Sequence, residues 1–268
     1  MIRNTNHTQK ALFFDIDGTL VSFKTHRIPE STVLALTEAK RNGSKIYIST
    51  GRPIQFIMNL GQIEHLIDGY VTTNGARCFI GDKTISINAI PHNEVEILLK
   101  DAKLKDYCSI VVGVDGIGIF NEKPIANEIF VESLAVPMTN ILIPVEQVLK
   151  GDILQFSPFI DKETEDKLMP QLQHCVSGRW HPKFTDITAE KADKGKGILA
   201  LAQHEGFDMS NCIGFGDGGN DTTMINDCGI GVAMGNAIPE LKSIADYVTS
   251  SVDEDGIANA LRHFGIIE

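Results

Sequence analysis

The chain has 268 residues, 43% of them hydrophobic and 22% charged, with a formal net charge of −11. This length predicts one large domain or two ordinary ones, and the composition is that of a soluble globular protein. The negative charge argues against a nucleic-acid partner, because phosphate backbones bind basic surfaces. A small phosphorylated substrate stays compatible, since a metal and a few cationic side chains can reverse the local charge.

The cysteines and the chain start favour a cytoplasmic protein. Five cysteines occur without any C-x-x-C pair, which predicts reduced, packed thiols and not disulfides or a zinc site. Residues 1–10 are polar, so we expect no signal peptide. No apolar stretch reaches the roughly 18 residues of a membrane helix, so we expect no membrane partner. No obligate protein partner is evident.

The first third of the chain predicts alternating strands and helices. Residues 11–14 are continuously apolar and predict a buried strand, and residues 29–43 predict a helix. Residues 45–52 predict a second strand with a polar end, followed by a helix over 53–60. Residues 69–76 predict a third strand ending in a turn. Such alternation is typical of a parallel sheet with helices on both faces.

The middle of the chain predicts antiparallel pairing. The strand candidates are residues 84–90, 108–114, 117–121, 152–159 and 184–188, with helices near 94–105, 145–149 and 161–173. Asp115-Gly116 joins two of these strands and is a strong hairpin signal. We therefore assign residues 83–188 to an inserted α+β domain.

After the insert the first pattern resumes. The predicted elements are a helix over 194–205, a strand over 211–217, a helix over 221–227, short strands over 229–234 and 245–249, and a closing helix over 257–264. Residues 1–82 and 189–268 are accordingly assigned to one discontinuous α/β domain.

Two carboxylates, Asp15 and Asp17, follow the first strand. Carboxylates this close repel each other and raise each other's pKa unless a cation lies nearby, so the pair predicts a metal. A solvated turn is the alternative interpretation.

Four polar clusters end predicted strands or begin predicted helices. They are Asp15-x-Asp17-Gly-Thr19, Ser49-Thr50-Gly51-Arg52, Lys194, and Gly216-Asp217-Gly-Gly-Asn220-Asp221. Strand ends of a parallel sheet converge on one edge, so we expect the clusters to share a crevice. Oxygen ligands without Cys or His indicate Mg²⁺.

These motifs, in this order, resemble the haloacid dehalogenase (HAD) superfamily of phosphotransferases. The insert resembles the type IIB (C2B) cap of the Cof-like sugar phosphatases, and the resemblance covers nearly all of the chain beyond residue 10. It implies a Rossmann-like core with an α+β cap that closes over the substrate. It also implies Mg²⁺-dependent hydrolysis of small phosphate monoesters, sugar phosphates above all, through an aspartyl-phosphate.

The resemblance implies catalytic roles as well. Asp15 matches the nucleophile, and Asp17 matches the general acid/base. Thr50, with Ser49 as the alternative, matches the hydroxyl that binds a phosphoryl oxygen. Lys194 matches the lysine that neutralises the nucleophile and the phosphate.

The metal would be held by Asp15, the Asp17 backbone carbonyl and Asp217, with Asp221 either a ligand or, like Asn220, a support of the ligands. Asn220 is also a candidate phosphate-binding residue.

Some assignments stay open. Lys196 is the alternative to Lys194, because it too precedes a glycine. Gly51 and Arg52 are candidate phosphate contacts. Asn74 is either a substrate contact or a turn residue. Trp180 and His181 are weaker candidates, for which a packing or surface role is favoured.

Two rival functions are a phosphomutase of the phosphomannomutase type and a non-catalytic sugar-phosphate sensor. A mutase needs cationic residues in the cap for a second phosphate, and those present form no evident cluster: Lys123, Lys150, Arg179 and Lys183. A sensor has no need for both Asp15 and Asp17.

Overall fold

The structure is a computed structural model that describes residues 9–133 and 141–268. It divides into two compact units. The first contains the described residues up to Gly51, together with Ile57–Ser86 and Asp193–Glu268. The second contains Arg52–Phe56 and the described part of Ile87–Ala192. The second unit thus differs from the insert predicted over residues 83–188, because residues 83–86 belong to the first unit and residues 189–192 to the second.

The strands of the described chain are β1 (Ala11–Phe14), β2 (Lys45–Ser49), β3 (Gly69–Thr72), β4 (Arg77–Ile80), β5 (Lys83–Ile87), β6 (Ser109–Gly113), β7 (Ile117–Phe120), β8 (Ile153–Pro158), β9 (Cys175–His181), β10 (Phe184–Ala189), β11 (Cys212–Gly216), β12 (Ile230–Ala233) and β13 (Tyr247–Val248). The α-helices are α1 (Glu30–Arg41), α2 (His92–Lys105), α3 (Pro124–Asn127), α4 (Val145–Val148), α5 (Lys162–Leu168), α6 (Lys194–Glu205), α7 (Thr222–Asp227), α8 (Pro239–Ile244) and α9 (Gly256–His263).

The first unit is built on an eight-stranded sheet in the order β13-β12-β11-β1-β2-β3-β4-β5. Strands from β13 to β3 in this order pair in parallel, and β4 adds to β3 in antiparallel orientation. The predicted parallel α/β core is therefore confirmed. Strand β4 and helix α8 were not predicted.

Strand β1 is central and buried on both faces. Leu12 and Phe14 belong to one hydrophobic cluster, and Phe13 belongs to another. Phe14 stacks on Phe215 at 4.5 Å between ring centroids, and Phe13 stacks on Tyr47 at 4.8 Å. Burial on two faces explains why this strand is continuously apolar and not alternating.

The prediction of an α-helix over residues 53–60 was wrong. Only Ile54–Phe56 forms a short 3₁₀ turn, closed by the Phe56 N–H donating to the Pro53 carbonyl at 2.9 Å. So short a segment gains little from helix propagation. Its apolar side chains Phe56, Leu60 and nearby Ile63 are buried by tertiary packing instead.

The second unit contains a five-stranded antiparallel sheet in the order β7-β6-β8-β10-β9. The hairpin predicted at Asp115-Gly116 joins β6 and β7, as expected. Helices α2 and α5 contribute Leu98 and Leu168 to a hydrophobic cluster with Phe156 of β8. The predicted α+β insert is confirmed, although edge strand β9 was missed because Gly178 and Arg179 interrupt its apolar pattern.

All five cysteines are free and buried, as the sequence predicted. Within residues 9–133 and 141–268, no helix is long and apolar enough to cross a membrane.

Candidate active site

The acidic residues of the first unit meet at the carboxyl edge of its parallel sheet. Asp15 follows β1, and its backbone N–H donates to the Phe215 carbonyl of β11 at 3.0 Å. Asp217 follows β11 directly. Because β1 and β11 are parallel neighbours, residues separated by some 200 positions in the chain become adjacent.

Lys194 joins two of these acids. It begins α6 and is fully buried, and its Nζ lies 2.6 Å from Asp15 Oδ1 and 2.6 Å from Asp221 Oδ1. Lys196 instead pairs with Asp193 at 2.7 Å, and its side chain is 57% exposed. The structure thus places Lys194, and not Lys196, among the acids.

Asp221 is completely buried and its two oxygens are both engaged. Oδ1 faces Lys194, and Oδ2 accepts from the backbone N–H groups of Asp217 and Gly218 at 2.9 Å each. A Cβ atom on Gly216 would lie 2.5 Å from Asp221 Cβ, so only glycine permits this approach. Asp221 therefore orients the Asp217 loop and Lys194 together.

Asp217 is held from the loop after β1. Thr19 Oγ1 donates to Asp217 Oδ1 at 3.1 Å. Gly18 has a φ of 77°, and a Cβ atom there would lie only 2.2 Å from Asp217 Oδ2. Glycine at position 18 thus serves both the left-handed backbone and the space that this carboxylate occupies.

Asn236 is a residue of the site that sequence reasoning missed. Its Nδ2 donates to the Gly18 carbonyl at 2.8 Å and to Asp217 Oδ2 at 3.3 Å. Its Oδ1 accepts from the Val252 N–H at 2.9 Å. The available signal was the Gly235-Asn236 pair shortly after β12, which is the same strand-end pattern that revealed the acids.

Burial and mutual repulsion perturb these carboxyl groups. Burial raises the pKa of Asp15 to about 8; Lys194 opposes this rise, and Asp221 adds to it. Burial also raises the pKa of Asp217 to about 7, again with a contribution from Asp221, while the Thr19 hydrogen bond opposes it. Burial alone would lower the pKa of Lys194, but Asp15 and Asp221 outweigh burial and raise it, so the ammonium stays charged.

The cluster is therefore short of positive charge. Carboxylate oxygens of Asp15, Asp217 and Asp221 lie within 4.8 Å of one another, and Lys194 is the ammonium that pairs with them in the described chain. Hard cations prefer such an oxygen-only donor set. The residues present fit a divalent metal, and Asp15 and Asp217 are its more accessible carboxylates, because Asp221 is completely buried.

The candidate phosphate-binding hydroxyls lie at the end of β2, of which Ser49 is the last residue. Ser49 and Thr50 are buried, and the Ser49 hydroxyl has no hydrogen-bond partner within the described residues. A Cβ atom on Gly51 would lie 3.1 Å from Asn74 Oδ1, which accepts from Asn220 Nδ2 at 3.0 Å. Asn220 and Gly51 thus meet beside Asn74, which has the positive φ of 51° expected for a turn residue.

Of the other sequence candidates, Asp17 lies in the first unit, where its charge adds to the rise in the pKa of both Asp15 and Asp217. The remaining ones belong to the second unit. Asp17 is half-buried in the loop after β1, where its backbone bridges to Val21. Arg52 belongs to the second unit and donates from Nη1 to the Phe56 carbonyl at 3.0 Å. Trp180, also in the second unit, is 60% exposed and donates from its indole to Asp186 Oδ2 at 2.8 Å. His181 stacks against a neighbouring phenylalanine.

An edge of this kind suits phosphoryl transfer, which depends on fixed positive charge around a carboxylate nucleophile. The family comparison agrees. The sequence model of the haloacid dehalogenase-like hydrolase family matches residues 12–261, and the chain belongs to that family. It is an enzyme, a phosphatase of the HAD type.

Individual relatives span almost the whole chain. The solved structure of the HAD subclass IIB sugar phosphatase BT4131 is 44% identical, covers 97% of this chain and 100% of its own, and superimposes with a TM-score of 0.86. The YkrA protein of Bacillus subtilis is 34% identical over 97% of this chain and 99% of its own length. The Bacillus subtilis 5-amino-6-(5-phospho-D-ribitylamino)uracil phosphatase YcsE is 26% identical over 95% of each chain. The expected subclass IIB resemblance is confirmed.

Proposed function

We propose that this chain is a Mg²⁺-dependent phosphatase that hydrolyses small phosphate monoesters, chiefly sugar phosphates, through an aspartyl-phosphate. The observation that carries the proposal is Lys194, whose buried ammonium lies 2.6 Å from Asp15 and 2.6 Å from Asp221 at the edge that also holds Asp217. An aspartate nucleophile requires a carboxylate whose charge is balanced by a neighbouring cation and whose oxygen can still attack phosphorus.

In the proposed reaction an Asp15 oxygen attacks phosphorus, and the bond between phosphorus and the ester oxygen breaks. Asp17 gives its proton to the departing alkoxide and so releases the alcohol. Water then attacks the phosphorus of the aspartyl-phosphate, Asp17 takes up the proton, and phosphate leaves with Asp15 restored. Lys194 keeps Asp15 oriented throughout, because its Nζ is anchored on Asp221 as well.

Mg²⁺ is the cation that the donor set supports. Asp15 and Asp217 would hold it with the Asp17 carbonyl, while Asp221 is already engaged by Lys194 and two backbone N–H groups. When bound, the metal supplies positive charge that ionises both carboxylates and draws negative charge off the phosphoryl oxygens. Asn236 and Thr19 keep Asp217 in place for this role.

Sugar phosphates are the substrate class that the relatives favour. BT4131 is described as a sugar phosphatase, and YcsE as a phosphatase of a phosphoribityl compound. Both names denote phosphate esters of polyhydroxylated carbon chains, and BT4131 matches this chain over almost its whole length.

Two of the four cations that the phosphomutase alternative could use are already paired within the second unit. A second phosphate needs an available cation, but Arg179 donates to Glu165 and to the carbonyls of Ile160, His181 and Pro182. Lys123 is likewise paired with a carboxylate, that of residue 106.

The test is phosphate release from a panel of sugar phosphates, nucleotides and cofactor phosphates, with Mg²⁺ or with EDTA. We expect turnover of sugar phosphates with Mg²⁺ and none with EDTA. Failure of every monoester to release phosphate with Mg²⁺ would refute the proposal, and interconversion of phosphosugars without phosphate release would favour the mutase.

A further inference from the structure

An exposed phenylalanine borders the carboxylate cluster of the first unit. Phe23 is 63% exposed. Nevertheless, a Cβ atom on Gly18 would lie 2.6 Å from Phe23 Cε2, and the same atom would lie 2.2 Å from Asp217 Oδ2. The edge of the phenyl ring and the Asp217 carboxylate therefore contact the same glycine. Isolated exposed apolar residues are common on protein surfaces, but this one lies at Gly18, next to the Asp217 carboxylate.

The loop that carries Phe23 is fixed by hydrogen bonds. Ser22 Oγ donates to Asp253 Oδ1 at 2.6 Å and accepts from the N–H groups of Lys24 and Thr25 at 3.1 and 3.3 Å. The His26 N–H closes the turn on the Ser22 carbonyl at 2.9 Å. Because both neighbours of Phe23 are held in this way, the ring is presented to solvent by a defined turn.

A second exposed apolar residue contacts the loop that carries Asp217. Ile238 is 39% exposed, and its N–H donates to the Asp217 carbonyl at 3.0 Å. Its Cδ1 lies 3.8 Å from the position of a Cβ atom on Gly219. Phe23 and Ile238 are thus apolar surfaces next to an otherwise polar and charged site.

We propose that Phe23 and Ile238 are specificity-determining residues that contact the organic part of the phosphate ester. This inference rests on the proposed phosphatase function. The phosphoryl group belongs with Asp15 and Lys194, so the carbon skeleton of the ester must lie outside the cluster. Covering exposed phenyl and butyl surface with that skeleton removes apolar area from water and favours binding.

The experiment compares esters that share the phosphoryl group and differ in the organic group. With Phe23→Ala we expect the KM for p-nitrophenyl phosphate and for a hexose 6-phosphate to rise about tenfold, the size expected when part of a ring no longer becomes buried. The KM for methyl phosphate should change less than about twofold, and kcat should change little, as for contacts made equally in ground and transition states. Ile238→Ala should act in the same direction with a smaller effect.

Leu34→Ala is the matched control, because Leu34 is also 63% exposed in the first unit but lies on α1. It should leave every KM unchanged. Phe23→Leu should restore part of the affinity, which separates loss of contact from loss of folding. Unchanged KM values in Phe23→Ala, or equal changes for methyl phosphate and the larger esters, would overturn the inference while wild-type turnover upholds the phosphatase. Absence of wild-type turnover would instead overturn both.

Discussion

Replacing Lys194 tests the centre of the proposed site. Lys194→Met keeps most of the side-chain volume but removes an ammonium that lies 2.6 Å from each of two buried carboxylates. Removing one partner of a buried ion pair typically costs about 3–5 kcal/mol, because the opposite charge is left unpaired in a poor solvent. We expect a loss of unfolding free energy of about this size in metal-free protein at pH 8.

Lys196→Met is the matched control on the same helix. Lys196 pairs with Asp193 at 2.7 Å, but its side chain is 57% exposed. An exposed pair of this kind contributes about 0–1 kcal/mol. The helix cap survives the change, because Asp193 caps α6 by accepting from the backbone N–H of Lys196.

The difference between the two variants should depend on pH. The folded-state pKa of Asp15 is about 8, above its ordinary value of 3.8, so the folded protein binds the extra proton between these values. The contribution of the Asp15 carboxyl to the free energy of unfolding therefore falls as pH rises from 3.8 to about 8. Without Lys194, which lowers this pKa, the fall continues to higher pH. The deficit of Lys194→Met should be larger at pH 8 than at pH 5.

Urea unfolding in EDTA, followed by far-ultraviolet circular dichroism at both pH values, measures these free energies. Lys194→Met should also lose phosphate release in Mg²⁺, whereas Lys196→Met should keep it. Equal stability of the two variants at pH 8 would show that the buried lysine is not the partner of Asp15, and the assignment of the site would fail.

Three further outcomes follow from the same geometry. Asp15→Asn should abolish turnover. In EDTA the melting temperature of this variant should fall less between pH 5 and pH 8 than that of the wild type, because the carboxyl with a raised pKa is gone. A pH dependence equal to that of the wild type would contradict this reasoning. Asp217→Asn should raise the Mg²⁺ concentration for half-maximal activity at least about tenfold, since it removes an anionic ligand; titration of activity with Mg²⁺ checks it. Asn236→Ala should raise the same concentration about three- to tenfold by releasing Asp217, whereas Asn42→Ala, which loses only an exposed bond to a carbonyl, should match the wild type.

Much of the fold could be read from local patterns. Buried strands such as β1 are recognised in the sequence as continuous apolar runs. The predicted bounds of helix α6, Lys194–Glu205, are those found in the structure. Prediction failed in the segment after Pro53, where Phe56 and Leu60 are buried by distant partners that no local period records. It also failed for the edge strand β9, because Gly178 and Arg179 interrupt the apolar pattern there.

The sequence by itself determined that Asp15, Asp217 and Lys194 lie at strand ends and a helix start, because strand ends in a parallel sheet share an edge whatever the intervening chain does. Only the tertiary structure decided which lysine is buried. It also decided that the Asp221 carboxylate pairs with Lys194 and accepts hydrogen bonds from two backbone N–H groups. Only the structure, likewise, brought Asn236 and Phe23 to the Asp217 loops. The physical reason is that these contacts join residues far apart in the sequence. These contacts depend on approaches of a few ångströms between loops far apart in the chain. Gly18 and Gly216 leave room for them, but a glycine in the sequence does not indicate which side chain occupies that room.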